Sequence, residues 1–246
     1  MERPALDNAN TSSFIGRHQF LIYRLFSLAG IFPVGGYVII HLLTNATVLD
    51  SPATFQGKVD TIHSLGIILP LVEWTLIFIP ILFHAAVGWL IVSGMVSNVG
   101  SYPYMSNIRY TLQRATGVIA FFFILWHVWH MHWLGAAVGG GNFDAHHASS
   151  SAAAALQSGA IVAGYLVGTL AVVYHLANGI WTFGITWGIW TSPRAMRGAA
   201  YVCLAFGLVL AGVGMSALAG MKSVDISSAI ETENRMEQFQ KLSRGE

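Results

Sequence analysis

Five long apolar segments constrain the fold of this 246-residue chain more than any other feature. A helix needs about 20 predominantly apolar residues to cross a bilayer, where it must satisfy its own backbone hydrogen bonds. Segments of this kind occupy residues 21–43, 66–96, 112–134, 159–190 and 199–221. Only 9% of the residues are charged, whereas soluble domains have about 25%. The sequence therefore predicts an all-α membrane protein built as a bundle of five transmembrane helices.

Residues 1–221 are expected to form this membrane domain, and residues 222–246 a polar C-terminal tail. Basic residues precede the first span or lie in the links between spans two and three and between spans four and five: Arg3, Arg17, Arg24, Arg109, Arg114, Arg194 and Arg197. The two opposite links hold only Lys58. Because short loops rich in basic residues stay inside, we expect the N-terminus inside and the C-terminus outside. The basic residues of the C-terminal tail favour the opposite orientation.

Composition also excludes several classes of function. The net charge of +1 leaves no surplus of Lys and Arg for phosphates, so no nucleic-acid partner is expected. The single cysteine, Cys203, can form no internal disulfide, and no C-x-x-C-H motif is present. Any haem would therefore be held without covalent attachment. The polar N-terminus lacks the layout of a cleaved signal, so neither cleavage nor export is expected. The expected location is a bacterial cytoplasmic (inner) membrane, which the chain crosses several times.

Each of the first four spans carries one histidine deep in its apolar part: His41, His84, His127 and His175. Unpaired polar groups are costly in hydrocarbon, so ionisable residues inside spans are candidates for function. A single such histidine could simply hydrogen-bond a neighbouring helix. Four in consecutive helices favour sites built between facing helices of a bundle.

Depth along the helices predicts how the four histidines pair. At a rise of 1.5 Å per residue, His84 and His175 lie about 20 Å from the inner helix ends, and His41 and His127 about 30–35 Å. Each level then has two imidazoles from different helices, and paired imidazoles can ligate haem iron. A zinc site or an ion pathway would need further polar donors, whereas these histidines stand among apolar residues. His130 lies one turn from His127 and could exchange roles with it.

Other residues are candidates around such cofactors. Gly88 and Gly179 follow His84 and His175 by four residues, on the same helix face, and could leave room for a porphyrin edge. Close packing of helices is the alternative for both glycines.

Charged residues could serve the cofactors or their substrate. Arg24 and Arg114, near inner helix ends, could pair with haem propionates, although positive-inside anchoring explains them as well. Glu73 is the only acidic residue inside a span, and it lies about 16 Å further out than His84. It could accept a proton from a quinol or merely extend towards the interface. An outer quinone site would combine Glu73 with His63.

Four segments carry a resemblance to a known family: "FPVGGYVIIH", "LPLVEWTLIFIPILFHAAVG", "LQRATGVIAFFFILWHVW" and "YHLANGIWTFGITWGIWTSPR". They resemble the five-helix, two-haem cytochrome b subunit that anchors succinate dehydrogenase or quinol:fumarate reductase in the membrane. The resemblance covers roughly residues 14–215.

This resemblance implies two non-covalent b-type haems, with His41 and His127 on the outer one and His84 and His175 on the inner one. It also implies a flavoprotein subunit and an iron–sulfur subunit as partners, and menaquinone or ubiquinone as the substrate in the lipid bilayer. The chain would transfer electrons between the iron–sulfur subunit and quinone. Higher oligomers are left open.

Two positions depart from the family pattern. Some fumarate reductases have a glutamate two residues before the fourth ligand, where this chain has Val173. Some relatives have R-L-H-S where this chain has "RLFS", with Phe26 in place of histidine. A proton route through that glutamate, or a role for that histidine, does not transfer to this chain.

Two other functions fit the same histidines. A transporter or channel could use them for protons or metal ions. The cytochrome b of another quinone-linked enzyme, such as a formate dehydrogenase or a hydrogenase, could use them for haem.

Overall fold

Helices account for nearly all of the protein in the computed structural model, which describes residues 14–94 and 97–245. In chain order they are α1 (Phe14–Ala29), α2 (Gly36–Ala46), α3 (Pro52–His63), α4 (Ile68–Glu73), α5 (Ile79–Ser93), α6 (Met105–Met131), α7 (Ala148–Ala155), α8 (Gly159–Thr186), α9 (Pro193–Lys222) and α10 (Ile226–Arg244). Arg3, which entered the count of basic residues, and residue 96, the predicted end of span 2, lie outside the described residues.

The predicted number of membrane spans is confirmed. Five described stretches are long and apolar enough to cross a bilayer: Gly16–Leu49, Ile68–Ser93, Met105–Met131, Gly159–Thr186 and Pro193–Lys222, which we number spans 1 to 5. The helix of span 3 starts at Met105 rather than at residue 112, because its first turns are polar and hydropathy marks only the apolar core. The helix of span 4 ends at Thr186 rather than at residue 190. It ends there because Gly188, two residues later, has a left-handed φ of 70° that an α-helix cannot continue through.

Spans 1 and 2 each contain a stretch of π-helix. Residues Gly30–Gly35 form the first and residues Trp74–Phe78 the second, with Pro33 inside the first and Pro80 just after the second. A π turn contains an extra residue, so it rotates everything that follows around the helix axis. The first stretch ends six residues before His41 and the second six residues before His84. The direction of these two histidines therefore depends on the two π turns.

Span 4 lies at the centre of the bundle. Its helix α8 packs against α6 and α9, and it also contacts the π turn of span 1. Val173 and Leu176 of α8 and Leu210 of α9 form a buried apolar cluster, against which Val38 and Leu42 of span 1 pack. Val173 is 2% exposed, so the position that carries a glutamate in some relatives is sealed among apolar side chains here.

The two ends of the bundle differ in structure. We call the end at which span 1 begins the arginine end, since it includes Arg109, Arg194 and Arg197 at the starts of spans 3 and 5. The opposite end carries α3, α7 and α10, which pack against one another and which we call the cap. Phe55 of α3, Ala152 of α7 and Met221 of span 5 share a buried cluster with Tyr165 of span 4. The cap is therefore continuous with the interior of the membrane domain.

The polar tail forms the helix α10 and is part of the cap. Asn234 accepts a hydrogen bond from the His147 Nε2 at 3.2 Å, and Gln240 donates to Asp60 at 2.7 Å. The bond to Asn234, and after it the neighbouring Asp144, raises the pKa of His147. These contacts tie α10 to the segment before α7 and to α3.

Glu233 is the main polar contact of α10. Its side chain is 1% exposed, and its Oε1 accepts from the backbone N–H groups of Ser149 and Ser150 at 2.7 and 3.1 Å. Its Oε2 accepts from the Ser150 hydroxyl at 2.6 Å. Free N–H groups and the helix dipole make the N-terminus of α7 a favourable place for this carboxylate. Glu233 therefore links the C-terminal helix to the loop between spans 3 and 4.

We expect Glu233→Ala to loosen the cap, because it leaves buried N–H groups without an acceptor at a cost of about 1–3 kcal/mol. Hydrogen–deuterium exchange of the purified protein should show faster exchange in α10 and α7 and unchanged exchange in spans 3 and 4. Glu231→Ala, which removes an exposed carboxylate of the same helix, is the control. Equal exchange in the two variants would contradict this role of Glu233.

Candidate functional site

The structure brings the four intramembrane histidines together as two pairs. The ring centres of His41 and His127 are 5.8 Å apart, and those of His84 and His175 are 6.1 Å apart. Each pair joins two different spans, in the combination that depth predicts. Metal–nitrogen bonds of about 2 Å on both sides of one ion place two imidazole centres about 6 Å apart. The spacing of both pairs therefore fits ligation of one iron between two rings.

Hydrogen bonds orient both rings of the pair nearer the arginine end. The Nδ1 of His84 donates to the Phe26 carbonyl at 2.9 Å, and the Nδ1 of His175 donates to the Gln113 carbonyl at 2.9 Å. An imidazole that donates from Nδ1 keeps the lone pair on Nε2, which is the form that binds metal. Both rings are thus held in the tautomer suited to an axial ligand.

Tyrosine hydroxyls approach the rings of the other pair. The Tyr165 hydroxyl lies 3.2 Å from the His127 Nδ1, and the Tyr37 hydroxyl lies 3.4 Å from the His41 Nδ1. All four histidines therefore have a polar group next to Nδ1. At His41, His84 and His127 this partner lies on the nitrogen opposite the one that would face a metal. At His175 the Gln113 Nε2 also lies 3.5 Å from the ring Nε2.

His130 has a different environment from His127. Its ring stacks on Trp126, with centres 5.2 Å apart and planes within 12°, and its Nδ1 lies 3.0 Å from the Tyr165 hydroxyl. His127 is the ring that contacts His41. Tyr165 thus stands between the two histidines of α6, and the structure places His130 behind His127 rather than in the pair.

Glycines leave room for the rings of the His84–His175 pair. A Cβ atom on Gly30 would overlap the His84 ring, and one on Gly117 would lie 2.9 Å from the His175 Cε1. The glycines singled out from the sequence are less tightly packed: a Cβ on Gly88 would lie 3.5 Å from Phe26, and one on Gly179 would lie 3.6 Å from Gln113. Sequence reasoning missed Gly30 and Gly117, whose only signal is that each lies at the depth of a histidine in another span.

Phe26 has a defined place in this site. Its ring lies parallel to the His84 ring, at 7° and with centres 4.2 Å apart. Its carbonyl is also the acceptor for the His84 Nδ1. The phenylalanine that departs from the R-L-H-S pattern therefore covers one face of His84, and the backbone bond does not depend on that side chain.

The two arginines considered for haem propionates differ in their contacts. The Arg24 guanidinium lies over the rings of Phe20 and Trp187, at 5.0 and 4.5 Å. The Arg114 guanidinium lies over the Tyr110 ring at 3.3 Å, and its buried Nε has no hydrogen-bond partner. A buried donor without an acceptor is rare, because it costs about 1–3 kcal/mol. Arg114 therefore has a free donor for an anionic group.

Glu73 lies beside a histidine that the sequence did not connect with it. The His132 Nδ1 accepts from the Leu134 N–H at 3.3 Å, so its Nε2 carries the proton and faces the Glu73 Oε1 at 3.4 Å. The Glu73 Oε2 is buried and has no hydrogen-bond partner. His63, by contrast, is exposed and bonds the Val59 carbonyl. The structure thus pairs Glu73 with His132 and leaves one carboxylate oxygen free.

A helical membrane bundle with two pairs of histidines inside its spans is typical of a membrane cytochrome. Residues 97–214 match the family model described as the succinate dehydrogenase/fumarate reductase transmembrane subunit. The succinate dehydrogenase cytochrome b558 subunit of Bacillus subtilis (strain 168) is 37% identical over 206 residues, which are 82% of this chain and 97% of that protein. The chain belongs to the family of succinate dehydrogenase and fumarate reductase transmembrane subunits. It is a multi-pass integral protein of the cytoplasmic membrane and part of such an enzyme complex, without the dicarboxylate site.

We expect Gly117→Ala to displace the His175 ring and to lower the haem-to-protein ratio towards half of the wild-type value, because only one histidine pair is disturbed. Gly212→Ala, which adds the same methyl group in open space on span 5, should leave the ratio unchanged. A pyridine haemochrome spectrum of each purified variant measures the ratio. A wild-type ratio in Gly117→Ala would show that Gly117 is not needed for haem binding.

Proposed function

We propose that the chain binds two b-type haems without covalent bonds and transfers electrons between an iron–sulfur subunit and a membrane quinone. His41 and His127 hold one haem, and His84 and His175 hold the other. The observation that supports this most directly is the geometry of the two pairs, with ring centres 5.8 and 6.1 Å apart and a polar group beside every Nδ1.

The surroundings of the pairs suit a flat, mostly apolar cofactor with acidic edges. Phe123 is stacked on His127 and Phe26 on His84, so aromatic surface borders both pairs. The unpartnered Nε of Arg114 and the guanidinium of Arg24 are cations that can pair with propionates. When bound, the two haems supply iron centres that accept and release one electron at a time. The chain contributes ligation, orientation and burial.

Family membership supports the partner subunits. The flavoprotein carries the dicarboxylate site and the iron–sulfur subunit binds at the arginine end, which faces the cytoplasm by the positive-inside rule. The C-terminal cap then lies outside. Membership in the succinate dehydrogenase and fumarate reductase family favours this function over a transporter or the cytochrome of a different quinone-linked enzyme.

Glu73 serves the quinone, which is either menaquinone or ubiquinone. Oxidation of a quinol releases two electrons and two protons. A carboxylate beside the quinol can take up one proton as the electrons leave, and the other passes to water at the membrane surface. The His132 Nε2–H group fixes one oxygen of Glu73, so that the unpartnered Oε2 is the atom that accepts the proton. In the opposite direction the same oxygen gives the proton to the reduced quinone.

Replacing single histidines tests the haem ligands. We expect His41→Ala, His84→Ala, His127→Ala and His175→Ala each to lower the haem content from two haems per chain to about one, because bis-histidine ligation needs both rings. His130→Ala, which removes a buried histidine behind His127, should keep both haems. Haem and protein are quantified in the purified complex. Loss of haem in His130→Ala but not in His127→Ala would exchange the roles of these two residues.

Replacing the carboxylate tests the quinone site. Glu73→Gln keeps the shape of the side chain but cannot accept a proton, so quinone turnover should fall about 100-fold while the haem content stays the same. Quinone-coupled succinate oxidation and quinol-coupled fumarate reduction are measured on the purified complex. Glu231→Gln, on the exposed face of α10, serves as the control. Unchanged turnover in Glu73→Gln would remove Glu73 from the mechanism.

A further inference from the structure

A chain of hydrogen bonds runs from an arginine to one of the paired histidines. The Arg109 Nε donates to the Asn178 Oδ1 at 2.9 Å, and the Asn178 Nδ2 donates to the Gln113 Oε1 at 2.7 Å. The Gln113 Nε2 donates to the His175 carbonyl at 3.1 Å, and the Gln113 carbonyl accepts from the His175 Nδ1 at 2.9 Å. The side-chain bonds thus alternate between spans 3 and 4 and end at the His175 carbonyl, while the His175 ring bonds the backbone of Gln113.

The chain of hydrogen bonds is partly enclosed by the protein, since Arg109 and Gln113 are half-buried. Asn178 is only 5% exposed. The Arg109 guanidinium lies over the Trp181 ring, 3.7 Å from its centre. In this low-dielectric setting a charge acts over a longer distance than it does at a hydrated surface. The three bonds that lead from Arg109 through Asn178 and Gln113 to the His175 carbonyl all donate away from the cation, so both amide dipoles turn their positive ends towards the His175 backbone.

We infer that Arg109, Asn178 and Gln113 are positioning residues that fix His175 and raise the reduction potential of the haem held by His84 and His175. This inference rests on the proposed haem function. Reduction adds one negative charge to the haem, and a fixed cation connected to its ligand favours that state. Removing the cation therefore makes this haem harder to reduce.

A purely structural role would have different consequences. Polar side chains between membrane helices commonly hold the helices together, which would affect stability and haem retention but not the potential of one haem in particular. The potential of each haem is therefore the quantity that separates the two roles.

Arg109→Gln tests the electrostatic part of the inference. The complex with its partner subunits is titrated with redox mediators while the haem absorbance is followed. We expect the reduced-to-oxidised ratio of one haem to fall about tenfold at a given ambient potential, which is about 59 mV for one electron. The midpoint of the other haem and the haem content should stay the same. Arg109→Lys keeps the charge and should restore most of the potential.

Arg194→Gln is the matched control. It removes one positive charge from the same end of the bundle at an exposed position, so neither haem midpoint should move. Asn178→Ser interrupts the link but keeps Arg109, and it should lower the same midpoint as Arg109→Gln. Asn178→Ser also tests the inference if the complex with Arg109→Gln fails to assemble.

The outcomes separate this inference from the proposed function. Two haems in the wild-type complex, with both midpoints unmoved in Arg109→Gln and Asn178→Ser, would overturn the inference alone. Equal shifts of both haems, or a shift of the same size in Arg194→Gln, would also overturn it. A wild-type complex without haem in this chain would instead overturn the proposed function.

Discussion

The absence of water inside the bilayer is the constraint on which the rest of this structure depends. A polar group that enters the hydrocarbon must find its partner within the protein, and the four intramembrane histidines do so through Nδ1. The same need explains why Asn178 and Gln113 are joined to each other and to Arg109. Polar contacts inside the bundle therefore engage the Nδ1 side of each ring.

Two buried polar atoms in the described part of the chain are exceptions to this rule, because they have no hydrogen-bond partner within the protein. Among the described residues, the buried side-chain atoms without a hydrogen-bond partner are the Glu73 Oε2 and the Arg114 Nε. The first lies beside His132, and the second lies over Tyr110. One is an acceptor that suits a quinol hydroxyl, and the other is a donor that suits a propionate. The two unpartnered atoms are therefore complementary to the two kinds of ligand proposed for this chain, a quinol and a haem.

The π turns and the cap also help to position the histidine pairs. The π turns of spans 1 and 2 rotate His41 and His84 towards their partners, and Gly30 in the first turn leaves space for the His84 ring. At the other end, Tyr165 contacts His127 and belongs to the apolar cluster that supports the cap. Within that cap, Glu233 joins α10 to the start of α7. The site of the His41–His127 pair is thus connected through packing to the C-terminal helix.

The sequence by itself determined the number of spans and the two levels of histidines, because hydropathy and helical rise are local properties. It also singled out Glu73 as a candidate for the quinone site. It also indicated the family through the motifs around the histidines. Only the tertiary structure decided that Gly30 and Gly117 face the rings, that His132 pairs with Glu73 and that Arg109 is linked to His175. It also decided that the polar tail folds into a cap. These features join residues far apart in the chain, and they depend on the rotation of each helix about its axis. Hydropathy reports depth in the membrane but not that rotation, which is set by packing and by the π turns.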